Sequence, residues 1–316
     1  MNIILISVFH MGAEGMITSM ALANFVCSLY IYLKLDLKSY FDYKSVDKKI
    51  IKEMYKYSIP LIPNGISWWI VNVSDRSIIS FVLGDGANGI YGISNKFSTI
   101  ISSLTGVFNI SWSESAALHI NSEDRDEFFT DIMNTAFKVF AAIGVLMLAL
   151  MPFVFPILIN VKFNEAYQYI PFLVLGVVFN VGLCLYNQVY LAKKLSKQVA
   201  STAMAGAAIN IIINVLLIKR IGLYAAALST TISYFVMMIY RHFDVKKYVK
   251  IKIEKPFIIE SILIYTLAIY LYYQNNFFGN ILNLVIVSIY SVYINLNFIK
   301  STYRTIINKI PRKRKV

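Results

Sequence analysis

Nine long apolar runs, separated by short polar segments, fill most of this chain. They fall at 13–34, 57–83, 88–112, 138–160, 166–191, 199–218, 222–240, 257–274 and 279–299. Each is long enough to cross about 30 Å of hydrocarbon at about 1.5 Å per residue. Helices are the expected form, because no water inside a bilayer can satisfy an unpaired backbone group. The pattern predicts an all-α polytopic membrane protein with about nine transmembrane helices.

Polar positions inside these runs are not scattered. In the second run Asn64, Trp68, Asn72 and Arg76 recur every four residues, so a helix places them along one face. Asp75 lies beside that stripe, and Pro60 and Pro63 predict a kink or loosened first turn. Gly84, Asp85, Gly86, Ala87 and Asn88 supply a tight turn. The third run carries Asn95, Thr99, Ser102, Gly106, Asn109 and Ser113, with Lys96 adjacent. Arg76 and Lys96 lie about 12 Å below that turn on either side, by helical rise, and predict a positive site tempered by Asp75. Buried intramembrane charges usually face a cavity or a partner, although both cations are long enough to snorkel to the interface. Asn180, Cys184 and Asn187 mark one face of the fifth run; Gly206, Asn210 and Asn214 mark one face of the sixth. Bridging neighbouring helices is the plainer role for each single Asn. Together, four polar faces point to a hydrated interior. The last two runs are Tyr-rich and read as peripheral.

Charge orients the chain. Of 30 Lys and Arg, 25 fall on alternate connections and the tail, from Lys34 to Lys56, at Arg125 and Lys138, from Lys193 to Lys197, from Arg241 to Lys255 and from Lys300 onward. The opposite connections hold only Lys162, Lys219 and Arg220. This bias predicts a cytoplasmic C-terminus. It also accounts for the net charge of +13 without nucleic acid, adding affinity for anionic membrane lipids. Cys27 and Cys184 lie within runs and read as neither a disulfide nor a metal pair, and the three His are scattered. The segment 113–137 reads as a short amphipathic cytoplasmic helix capped by Ser122, and 41–56 as its basic counterpart. Residues 1–12 lack a signal-peptide pattern, and nine spans with a cytoplasmic C-terminus put the N-terminus outside. The expectation is that upstream spans belong to the functional protein.

The segment Tyr57-Ser58-Ile59-Pro60-Leu61-Ile62-Pro63, with Trp68-Trp69, Asp75-Arg76, Leu83-Gly84 and Gly89 through Lys96, resembles the opening of the second lobe of the Wzx-type oligosaccharide flippases. These belong to the multidrug/oligosaccharidyl-lipid/polysaccharide exporter superfamily. Asn210, Asn214 and Ile221 through Ala227 continue the likeness, although Lys219-Arg220 stand where that family often has Pro. The resemblance implies a MATE-like flippase C-terminal lobe plus extra C-terminal helices. Residues 1–34 would be the last span of an incomplete N-terminal lobe, 35–56 a basic connector, 57–242 a six-helix lobe, 243–299 two additional spans and 300–316 a basic cytoplasmic tail.

It further implies a non-enzymatic secondary transporter in the bacterial cytoplasmic membrane. The substrate would be undecaprenyl-pyrophosphate-linked oligosaccharide repeat units, flipped for surface polysaccharide (O-antigen) biosynthesis. Glycan polymerase and other assembly proteins would be partners. Asn64, Trp68, Asn72, Asp75, Arg76, Asn95, Lys96, Asn109, Asn180, Asn187, Asn210 and Asn214 would line the cavity. No cofactor or metal signature is present, and coupling to protons or sodium through Asp75 stays open. A chain holding half of the cavity is expected to flip poorly by itself. A small-molecule exporter of the same superfamily and a membrane glycan polymerase are the competing readings. The short outer connections leave little room for a polymerase site.

Overall fold

The computed structural model describes residues 3–35 and 47–309, so the start of the 41–56 segment and the last residues of the tail lie outside it. All regular structure among the described residues is helical. The chain divides into two compact units, residues 1–55 and 56–316.

In the first unit a π-helical turn at Ile4–Val8 precedes α1 (Gly12–Lys34), whose side chains are almost all exposed. The basic helix α2 (Lys48–Ser58) crosses the boundary between units and buries no side chain. The second unit continues with α3 (Leu61–Leu83), α4 (Asp85–His119), α5 (Arg125–Leu158), a 3-10 segment at Val161–Tyr169, α6 (Ile170–Ala192), α7 (Ser196–Ile221), α8 (Leu223–Val245), α9 (Lys255–Gln274), α10 (Phe277–Ile294) and α11 (Leu296–Lys309). Among the described residues seven helices, α1 and α5 to α10, are long and apolar enough to cross a membrane. The other two expected spans, α3 and α4, have 23 and 35 residues but do not reach the same sustained apolarity.

Chain breaks follow local chemistry. Proline cannot donate a backbone hydrogen bond, and the chain breaks between α2 and α3 at Ile59 and Pro60. Two hairpins, α3–α4 and α7–α8, each turn on a single glycine. Gly84 has φ 89° and Gly222 φ 57°, with ψ −137° at Gly222, a region open essentially only to glycine. The missing Pro before Gly222 is therefore not needed to make this turn.

Two connections differ from expectation. No separate amphipathic helix follows α4. That helix runs on to His119, and the acidic segment forms the first turns of α5 because Phe129 and Met133 are buried in the core. Trp112 and Phe129 meet edge to face at 5.2 Å, and His119 stacks on Phe128 at 3.9 Å. Ser122 does not cap it. The N-cap position is Asp124, and the Ser122 hydroxyl donates to the His119 carbonyl at 2.8 Å. Likewise the last span stops at Ile294, and α11 starts afresh at Leu296.

The largest apolar core joins α4, α5, α6, α9 and α10. Tyr265 of α9 donates to the Ala141 carbonyl of α5, and Asn283 of α10 to the Ala268 carbonyl of α9, so the last two spans lean on α5. A second cluster holds Ile79, Ile218 and Ala227, and a third holds Val71, Ala207 and Tyr234. Between these two lies a layer of polar side chains.

Candidate functional site

That polar layer arises from the same spacing on three helices. On α3, Asp75 sits one turn from Val71 and one from Ile79; on α7, Asn210 and Asn214 separate Ala207 from Ile218; on α8, Ser229 and Thr230 separate Ala227 from Tyr234. Helical rise puts Asp75 about 13 Å from the Gly84 turn and Thr230 about 12 Å from the Gly222 turn. The three strips therefore meet well inside these helices, away from their turns.

Asp75 is 3% exposed. Its Oδ2 accepts from the Thr230 hydroxyl at 2.6 Å and from the Tyr91 hydroxyl at 3.1 Å, and its Oδ1 accepts from Asn214 Nδ2 at 2.8 Å. A second tier feeds this cage. Ser74 donates to Asn210 Oδ1 at 3.2 Å, and Asn210 Nδ2 donates to Thr230 at 3.1 Å and to Ser229 at 3.3 Å. Neutral donors thus surround the carboxylate, and among the described residues it makes no ion pair. A buried ion without a counter-charge is costly, and hydrogen bonds from three helices, α4, α7 and α8, are what hold it.

Beside the carboxylate lies a cavity of about 280 Å³. Trp68, Asp75, Tyr91, Asn95, Asn180 and Tyr234 help to line it, with Ser98, Thr99 and Ser102 of α4 completing one wall. Trp68 and Tyr234 have ring centroids 5.8 Å apart. Ser98 Oγ and Asn214 Oδ1 are buried without a hydrogen-bond partner, so this layer has polar capacity to spare for a guest.

The expected site residues separate into groups. Trp68, Asp75, Asn95 and Asn180 share the cavity, while Asn210 and Asn214 stand behind it in the cage. The cavity stripe on α3 is Trp68, Val71 and Asp75, not the four-residue repeat ending at Arg76. Adjacent helical residues point about 100° apart, so Asp75 turns inward while Arg76 is exposed. Arg76 and Lys96 share a separate open depression with Asn88. Among the described residues Asp75 makes no ion pair with either cation.

Asn187 accepts from Arg241 Nη1 at 3.3 Å, away from the cavity. Asn64 and Asn109 each keep a buried side-chain oxygen without a partner. Asn72 lies on α3, but its side chain is outside the described residues.

Arg241 corrects an expectation. Its place in a cluster of cations reads as cytoplasmic connection, yet it lies inside α8 and is 0% exposed. The Nε and Nη2 groups donate to the Thr202 hydroxyl at 3.1 and 2.8 Å, and Nη1 donates to the Leu183 carbonyl at 3.2 Å. The guanidinium also lies over the Tyr190 ring, 5.8 Å from its centroid. Its position four residues before the end of the helix was the only available signal.

The architecture and site define a multi-pass membrane protein with a polar cavity inside a helical lobe, the fold of a MATE-family transporter. The solved structure of a multidrug resistance MATE family transporter of the MOP superfamily, in an outward-facing conformation, matches with a TM-score of 0.52 and 16% identity, over 68% of this chain and 51% of that one. The uncharacterized membrane protein MJ1375 of Methanocaldococcus jannaschii is 24% identical over 266 residues, 78% of this chain and 62% of that protein. The chain thus spans about half to three-fifths of the length of these relatives. No protein-family model matches.

Proposed function

We propose that this chain is the cavity-bearing C-terminal lobe of a lipid-linked oligosaccharide flippase, with residues 57–242 as the six-helix lobe and 243–299 as two added spans. The observation that carries the reading is the cavity beside Asp75, where aromatic rings (Trp68, Tyr234) and amides and hydroxyls (Asn95, Asn180, Thr99, Ser102) line one space. Rings that cover C–H faces, beside groups that donate and accept, suit a polyhydroxylated glycan. Such a glycan cannot cross hydrocarbon unaided, whereas a polyprenyl tail stays in lipid. Arg76 and Lys96 in their open depression suit the pyrophosphate that joins the two. Asp75, the buried carboxylate at the cavity wall, is the residue that would couple transport to a proton or sodium ion. Alternating access would rock this lobe against its counterpart.

The fold match favours one second reading, a small-molecule exporter built on the same lobe. Deleting the gene in its host and measuring the sidedness of the lipid-linked repeat separates the two. Accumulation on the cytoplasmic leaflet, rescued by the full reading frame, is the expected result. Normal sidedness with loss of resistance to a toxic small molecule would favour the exporter.

A further inference from the structure

A different face of the second unit carries a second cavity system, independent of the reading above. A groove of about 390 Å³ runs between α5, α6, α8 and α9. Phe137, Val178, Phe235, Phe257, Ile262 and Tyr265 give it an almost wholly apolar wall. Its α6 residues, Leu175, Val178, Phe179 and Tyr186, are offset around the helix from Leu173, Val177 and Asn180, which line the Asp75 cavity. The two spaces therefore lie on different faces of α6.

At one end the groove opens into a recess of about 510 Å³ lined by Lys246, Lys250, Lys252 and Lys255. His242, Ile253 and Ile258 belong to both walls, so apolar groove and cationic recess are continuous.

The lysines are placed by construction. Residues 250–254 form an extended strap laid along α5. The backbone N–H groups of Lys250, Lys252 and Glu254 donate to Asp126, Thr130 and Asn134 at 3.2, 3.3 and 3.2 Å. Two extended residues advance about 6.6 Å and four helical residues about 6 Å, so the strap stays in step with the helix. Alternation then buries Ile251, leaves Ile253 half-buried and exposes Lys250 and Lys252.

Three acids beside the strap are already engaged. Asp244 pairs with Lys247 at 2.7 Å, which raises the pKa of that lysine above its ordinary value. Glu254 pairs with Lys138 at 2.7 Å, and Asp126 pairs with Arg125 at 3.0 Å. His242 bonds the Tyr186 hydroxyl, and Lys246 lies 5.2 Å from the Phe243 ring centroid. Among the described residues Lys246, Lys250, Lys252 and Lys255 make no close ion pair, although Lys250 feels the charge of Asp126 beside the strap.

We propose that the groove and strap form a site for an anionic glycerophospholipid, with an acyl chain in the groove and the phosphate on the lysines. An apolar slot joined to a recess of four lysines without a close ion pair matches an amphiphile with a phosphate head, and free phosphate would leave the slot unused. The positive-inside bias puts this end on the cytoplasmic side, where anionic lipids are enriched.

The test uses the full chain in detergent micelles and native mass spectrometry. Phosphatidylglycerol is expected to be retained about tenfold more than phosphatidylcholine with identical acyl chains. The triple substitution K250Q/K252Q/K255Q should remove that preference. A phosphatidylglycerol with a photoreactive acyl chain should label 253–269, and Ile262→Trp should suppress that label by filling the slot. Equal retention of the two lipids would overturn the proposal, as would full retention by the triple variant or labelling confined to other helices. Displacement of phosphatidylglycerol by equimolar undecaprenyl phosphate would also overturn it and assign the groove to the carrier lipid.

Discussion

Two ionisable side chains, Asp75 and Arg241, are buried in the same helical unit, and their surroundings could hardly differ more. Asp75 borders a cavity, and its donors come from α4, α7 and α8. Arg241 borders none of the cavities described above, and α6 and α7 saturate its donors with carbonyls, an amide oxygen and a hydroxyl. Burial alone therefore does not mark a site. A charge that nothing further can reach is a clamp, whereas a charge with a free approach from a polar space can exchange partners. On this view Asp75 is built for traffic and Arg241 for holding α8 against α6 and α7.

Exchange experiments can break that contrast. The largest effect on transport is expected from Asp75→Asn, which keeps the shape but removes the charge. Transport should fall at least ~10-fold, equivalent to about 1.4 kcal/mol or more, while detergent-solubilised protein remains folded. A purely structural Asp75 would show the reverse. Next, Arg241→Met should lower unfolding stability by about 2–4 kcal/mol, because it removes a buried donor set and strands its acceptors. Transport per folded molecule should stay close to wild type, measured at matched protein levels. Gly222→Ala forces a side chain into glycine-only backbone and should cost about 1–3 kcal/mol of thermal stability. The smallest stability effect is expected at the exposed pair. Arg76→Ala and Lys96→Ala should each change it by about 0.5 kcal/mol or less, while weakening the apparent affinity for a pyrophosphate-linked substrate in a binding titration.

Much of the fold was legible in hydropathy, since seven helices pass on length and apolarity alone. The site was legible in part. The four-residue spacing of Asn210 and Asn214, and the polar stripe of α4, follow from helical geometry and reappear around Asp75. What the sequence could not show is which of two adjacent polar residues faces inward. Asp75 and Arg76 are neighbours in any linear reading, and only the packing of α3 on α7 and α8 sends the acid in and leaves the base out. Arg241 was hidden for a similar reason. Five cations follow it within fourteen residues, a pattern that describes a cytoplasmic connection equally well. The acidic start of α5 was misjudged because the burial of Phe129 and Met133 depends on Trp112 and its neighbours, which are remote from local capping chemistry.

The central claim is that the space beside Asp75 is a water-accessible substrate path. It is tested most directly by a single cysteine, Ser102→Cys, in a Cys27→Ser/Cys184→Ala background, labelled in membranes with a hydrophilic maleimide. Labelling that added lipid-linked oligosaccharide slows several-fold is the predicted result. A cysteine that never reacts, or one that reacts at the same rate with and without that lipid, would contradict the account.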